Sequence, residues 1–156
     1  MATYFLDTSA LVKRHIAEPG RAWIQALCAP VAGNTIVIAE VAIVEVASTF
    51  SRMARERPQR ITDMTRDQLI KRFNDHVQRD YSVVEVNRAI FTQAADLCRR
   101  RPLRAYDAVQ LACALTRRDD DVAANQPAPI FVCADAMLLK VASAEGLATE
   151  NPNDHL

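Results

Sequence analysis

Apolar positions along the chain gather into short runs, and most runs are followed by a polar residue and then by helical spacing. Residues 2–6 form the first run, which is short and β-prone. It ends at Asp7-Thr8-Ser9, a helix-start signal, so a helix over 8–17 is predicted, stopping at Pro19-Gly20. A second helix, carrying Trp23, Ile24 and Leu27, ends near Pro30, and "NTIVIAE" (34–40) contains a second strand. A long helix from Glu40 to about Arg57 is closed by Pro58. Leu69, Ile70, Phe73 and Val77 recur at about 3.6 residues per turn, which predicts a helix over 65–79. "YSVVEV" (81–86) is strand-like, Asn87 caps a helix to about Arg100, and Pro102 breaks it. "AYDAVQLACALTRR" (105–118) is a mostly buried helix. A polar loop with Pro127 and Pro129 leads to "IFVCA" (130–134), the most apolar strand candidate. Asp135 opens a helix to about Glu145, and "GLATE" is a last short strand.

Strands separated by helical segments of this length predict an α/β fold: a central parallel β-sheet flanked by helices on both faces. In such sheets sites form beyond the carboxyl ends of the strands, where the following helices begin. No repeat, low-complexity segment or linker interrupts the pattern, and 156 residues suffice for one domain with a full core, so 1–156 is expected to be a single domain.

Composition adds little to this. Half the residues are hydrophobic, and 19 basic residues balance 19 acidic ones, so net charge points to neither nucleic acid nor membrane. The local distribution is uneven: Arg52, Arg55, Arg57 and Arg60 crowd one stretch, and Arg99, Arg100, Arg101 and Arg104 another. The four cysteines, Cys28, Cys98, Cys113 and Cys133, form no C-x-x-C pair, and each sits among apolar residues, as expected of buried, reduced thiols. No signal-peptide pattern and no membrane-length apolar run is found, so a soluble, cytoplasmic protein without membrane contact is expected.

Four of the acids stand in apolar surroundings. Asp7 and Asp135 each follow an apolar strand and precede a helix, where Asp is a preferred cap. Glu45 lies inside "AIVEVAS", in a helix expected to be buried there, and an unpaired buried carboxylate costs several kcal/mol or titrates neutral. Asp107, within "AYDAVQLACAL", raises the same problem, eased by its place in a helix first turn. Separately these are two caps, one dipole acid and one paired Glu. Together, two lie at strand carboxyl ends and two in helix turns able to face the same edge. Carboxylates meeting within a few ångströms there need a cation, and an all-oxygen donor set selects Mg²⁺ or Mn²⁺. Such an ion, flanked by Arg clusters, suits phosphodiester hydrolysis. Asp119, Asp120 and Asp121 read as a solvated loop and Asp154 as tail. His15, His76 and His155 read as dispersed surface residues, Lys13 as part of a solvated helix face, and Tyr106 more as core than as a base-stacking ring.

"YFLDTSALVKRH" (4–15), "EPG" (18–20), "VEVAS" (44–48), "LRAYDAVQLACAL" (103–115) and "FVCADAMLLKVASAEGL" (131–147) resemble, in order and spacing, the PIN-domain ribonucleases, and among them the VapC toxins of toxin–antitoxin pairs. The resemblance covers almost the whole chain. It implies that Asp7, Glu45, Asp107 and Asp135 form the acidic quartet holding Mg²⁺ or Mn²⁺, and that Ser9 is the hydroxyl accompanying the first acid. Further implications are cleavage of single-stranded regions of RNA, a homodimer, and a small VapB-like antitoxin that blocks the pocket with a basic side chain. Arg104, three residues before Asp107, is either a phosphate contact or a surface Arg pairing with a nearby acid. One departure is Cys133, where the family often has Thr or Ser.

Other phosphoryl-transfer folds fit less well. A haloacid-dehalogenase-like site wants an Asp two residues after Asp7, where Ser9 stands, and a receiver wants adjacent acids, where Leu6 precedes Asp7. With three isolated glycines a dinucleotide-binding turn is absent. The remaining alternative is a non-catalytic PIN-like module that binds RNA or protein without cutting.

Overall fold

Residues 1–155 are described by a computed structural model of the chain. The five strands are β1 (Thr3–Leu6), β2 (Thr35–Ala39), β3 (Tyr81–Val84), β4 (Ile130–Val132) and β5 (Ala148–Glu150). All neighbouring strands pair in parallel, in the order β3-β2-β1-β4-β5. The chain therefore crosses back after every strand, and helices fill the crossovers. These are α1 (Thr8–Lys13), α2 (Arg21–Leu27), α3 (Ala42–Glu56), α4 (Asp63–Arg79), α5 (Arg88–Arg100), α6 (Ala105–Ala123) and α7 (Ala136–Ala144).

Side-chain alternation along the strands builds a core on each side of the sheet. Phe5, Val37, Ala39 and Phe131 face α5, α6 and α7, with the Phe5 and Phe131 rings stacked 5.8 Å apart across β1 and β4. Leu6, Ile36, Ile38 and Val132 face α1, α2, α3 and α4. On α3 the buried stripe is Ala42, Val46, Phe50 and Ala54, at a strict four-residue spacing. Ile43 and Val44 fall outside it and are exposed, so the turn around Glu45 is less enclosed than its apolar neighbours predict.

Two helix lengths differ from the expectation. α1 ends at Lys13 rather than near 17, because the chain turns toward Pro19 and Gly20, where a left-handed φ of +83° opens α2. α6 runs on to Ala123 and absorbs Asp119–Asp121. These are not a loop, because Arg117 pairs with Asp121 one turn ahead (2.8 Å), which rewards helix there. Cys98 is exposed on α5, unlike the other three thiols. No helix among the described residues is long and apolar enough to cross a membrane.

Candidate active site

The parallel sheet puts the carboxyl ends of all strands on one edge, and side chains from four helix starts line a cleft there. Asp7 leaves β1 and caps α1: Oδ1 accepts the Ala10 N–H (3.1 Å) and the Ser9 hydroxyl (2.6 Å), and Oδ2 accepts the Cys133 thiol (3.3 Å). Asp7 is buried, and loss of hydration pushes its carboxyl up to about 6, against the pull of those three donors and with Glu45 adding to the rise. Ser9 also accepts the Ala134 N–H (2.8 Å), so one hydroxyl ties α1 to the end of β4. Cys133 is fully buried, and the Asp135 N–H donates to its sulfur (3.2 Å). Burial first, then the Asp7 charge, holds this thiol protonated.

Glu45 sits in the first turn of α3. Its Oε1 accepts the Thr8 hydroxyl (3.2 Å) and the Gln110 amide (2.8 Å). Its carboxyl is raised by desolvation, with Asp107 adding to the rise and the Gln110 and Thr8 donors opposing it. Asp107, in the first turn of α6, is half-buried and raised by desolvation and by Asp135, while Arg104 pulls it down. Asp135 is exposed and caps α7, accepting the Met137 (2.8 Å) and Leu138 (3.2 Å) N–H groups.

All four acids, with Thr8 and Ser9, line one cleft of about 420 Å³, and Lys13, Arg52 and Arg104 stand on its walls. A wider hollow of about 620 Å³ beside Pro19, Gly20 and Arg21 collects no comparable set of acids. The repulsions run in sequence, Glu45 on Asp7, Asp107 on Glu45 and Asp135 on Asp107, as expected of a row of carboxylates sharing a groove. Among the described residues, no three His, Cys, Asp or Glu side chains close tightly enough, as placed, to hold one ion. The acids share a cleft without meeting at a point. Asp7, Glu45 and Asp135 each accept hydrogen bonds from nearby donors. The donor set nevertheless fits a hard divalent cation: every acid offers oxygen, and three of the carboxyls are raised by burial with a further push from a neighbouring acid.

Several residues stand elsewhere than expected. Lys13 is buried rather than solvated, donating to Glu18 (3.3 Å) and the Pro19 carbonyl (3.0 Å) and so bracing the 18–20 turn against the cleft. His15 is buried rather than at the surface, and burial lowers its imidazole to about 4. Tyr106 is 55% exposed, because the first turn of α6 projects past the core. Arg99, Arg100 and Arg101 are engaged by Asp96 and Glu145, whereas Arg104 makes no ion pair among the described residues and lines the cleft. Gln110 was missed. Its signal was available, since a lone amide inside "DAVQLACAL" needs a partner as much as an acid does.

Comparison with known proteins agrees on the fold. The PIN domain family model matches residues 4–126. No curated protein matches the chain. Among solved structures, FitAcB from Neisseria gonorrhoeae is similar at 15% identity and a TM-score of 0.64, covering 98% of this chain and 99% of that one. A toxin–antitoxin complex from Klebsiella pneumoniae gives 15% and 0.62, covering 96% and 97%. VapBC2 from Rickettsia felis, bound to a promoter DNA fragment, gives 13% and 0.58, covering 96% and 98%. Identities this low speak for the fold alone, but the family match spans most of the chain, from β1 through α6. The chain belongs to the PIN domain family.

Proposed function

We propose that this protein is a Mg²⁺- or Mn²⁺-dependent endoribonuclease, the toxin of a VapBC-type toxin–antitoxin pair. The observation that carries the reading is the single cleft lined by Asp7, Glu45, Asp107 and Asp135, three of them raised in pKa by burial and, to a lesser degree, by a neighbouring acid. Membership of the PIN family and likeness to structures described as toxin–antitoxin complexes support it.

Asp7, Glu45 and Asp107 would hold the ion, with Asp135 completing the site. When bound, a divalent ion supplies the missing positive charge, acidifies water and stabilises charge on a phosphate. The chain's own residues do the rest. Ser9 and Cys133 fix both oxygens of Asp7. Arg104, which makes no ion pair among the described residues and stands at the cleft wall, receives the RNA backbone phosphate, and Arg52 widens the basic rim. An antitoxin would neutralise the same acids with a basic side chain. Exposed Ile43, Val44, Tyr106 and Met137 stand next to, or within two residues of, the site acids, an apolar fringe suited to that partner and to a second copy of the chain. Residues 1–156 act as one domain in this reading, since β4, beyond the matched span, pairs with β1. The setting is the cytoplasm, with no membrane partner.

RNA cleavage is expected to cease in excess EDTA and return with Mn²⁺, leaving 5′-phosphate and 3′-hydroxyl ends. Cleavage that persists in EDTA refutes metal dependence. The second reading is a non-catalytic RNA- or protein-binding module. Mn²⁺ titration separates the two, because only a nuclease site should bind the ion and lose it on Asp107→Asn.

A further inference from the structure

Gln110 lies one turn along α6 from Asp107, only 2% exposed, between apolar neighbours Val109 and Leu111. Its amide nitrogen donates to Glu45 Oε1 (2.8 Å) and to Thr8 Oγ1 (3.1 Å), and Thr8 Oγ1 donates to the same Glu45 oxygen (3.2 Å). Three side chains from α1, α3 and α6 thus close a small triangle behind the cleft. The amide oxygen, by contrast, is buried without a partner among the described residues. An orphaned buried carbonyl is destabilising, and a Met or Leu would fill the same space without one. Turning the amide over would aim that oxygen at the Glu45 carboxylate, so the charge of Glu45 selects the orientation that strands it. Packing alone gives no reason for an amide here; the carboxylate does.

We propose that Gln110 is a positioning residue: together with Thr8 it pins Glu45 Oε1, leaving Oε2 as the one oxygen that Glu45 offers to a divalent cation in the cleft. Oε2 accepts no hydrogen bond from any described residue. The inference rests on reading the cleft as a divalent-metal nuclease site. It makes Glu45 a pre-set, single-oxygen donor rather than a side chain searching among rotamers, and outer partners of this kind are typically worth about 10–100-fold in metal affinity.

The test compares wild type with Gln110→Met and Thr8→Val in three measurements: Mn²⁺ affinity by electron paramagnetic resonance, melting temperature in EDTA, and kcat and KM on RNA. Gln110→Met should melt within a few degrees of wild type, because the orphan oxygen goes with the lost bonds. Its Mn²⁺ affinity and kcat should fall about 10–100-fold with KM for RNA unchanged, and Thr8→Val should fall in the same direction by less. A Gln110→Met protein that binds Mn²⁺ and turns over like wild type overturns the inference and leaves the nuclease reading standing. Should Gln110→Met not fold, Thr8→Val and the ¹⁵N spectrum of the metal-free wild type decide. The Gln110 side-chain amide pair should be shifted and slow to exchange, and should move in Glu45→Gln; an ordinary, unmoved pair overturns the inference. A wild type that neither binds Mn²⁺ nor cleaves RNA brings down the nuclease reading, and the positioning role with it.

Discussion

Replacing Asp7 by Asn is expected to lower RNA cleavage by about a thousandfold while raising the stability of the metal-free protein at neutral pH. The first effect follows from the proposed metal dependence, since a divalent ion's charge stabilisation is worth several kcal/mol and each 1.36 kcal/mol is tenfold in rate. The second follows from burial. The Asp7 carboxyl titrates at about 6 in the folded protein, against an ordinary 3.8. Between those values the folded state holds the proton more firmly than the unfolded state does. Stability is therefore highest below about pH 4, declines as pH rises toward 6, and above that is lower by about 3 kcal/mol on account of this group. Asn has no proton to lose and still caps α1 through its amide oxygen, replacing the acceptor for Ala10 N–H. Melting curves in EDTA from pH 4 to 8 should slope downward for wild type and lie flatter for Asp7→Asn, with the variant the more stable at pH 7. A variant that melts lower than wild type at pH 7 would show that charge burial is not what perturbs Asp7. One that cleaves normally would remove Asp7 from the reaction.

Gly20→Ala should produce the largest loss of fold stability. Gly20 adopts φ +83°, which costs a residue with a Cβ about 1–2 kcal/mol. The added methyl would also fall on the Pro152 carbonyl, in the short C-terminal turn packed against α2. Pro152 is buried and cannot yield without drawing the tail away, including His155, whose ring stacks on Trp23 at 4.0 Å. About 3 kcal/mol in total lowers the melting temperature of a domain of this size by roughly 10 °C. Trp23 is the only tryptophan, so its emission reports the tail directly. An unchanged melting temperature with unchanged emission would mean that the tail is not held as described.

Much of this architecture was legible in the chain. β1, β2 and β4 stand out as apolar runs that end at a polar helix start, and that punctuation alone places Asp7 and Asp135 at one edge of the sheet. Glu45 and Asp107 were legible as acids whose neighbours are apolar, although exposed Ile43 and Val44 make the α3 turn more open than those neighbours suggest. What escaped depended on contacts between distant segments. Lys13 reads as a surface residue until the chain folds Glu18 and Pro19 back onto it. His15 reads the same way until Phe50 and Phe73 enclose it. Asp119–Asp121 look like loop because three acids repel, yet Arg117 redeems the helix by pairing with Asp121. Cys133 was visible as a departure from pattern, but its closeness to Asp7 was not. That contact joins β4 to β1 across 126 positions of chain.

The opposite edge of the sheet is a different territory. The stretch from Ala124 to Ala128, which feeds the amino end of β4 through the buried Pro129, is exposed throughout and contains Asn125 in a left-handed conformation. Because every strand runs the same way, this hairpin-free turn lies a full strand length from the acids. Fluorophores, affinity handles or crystallisation chaperones grafted there would be carried on the molecule's blunt end, leaving the chemistry at the other pole undisturbed.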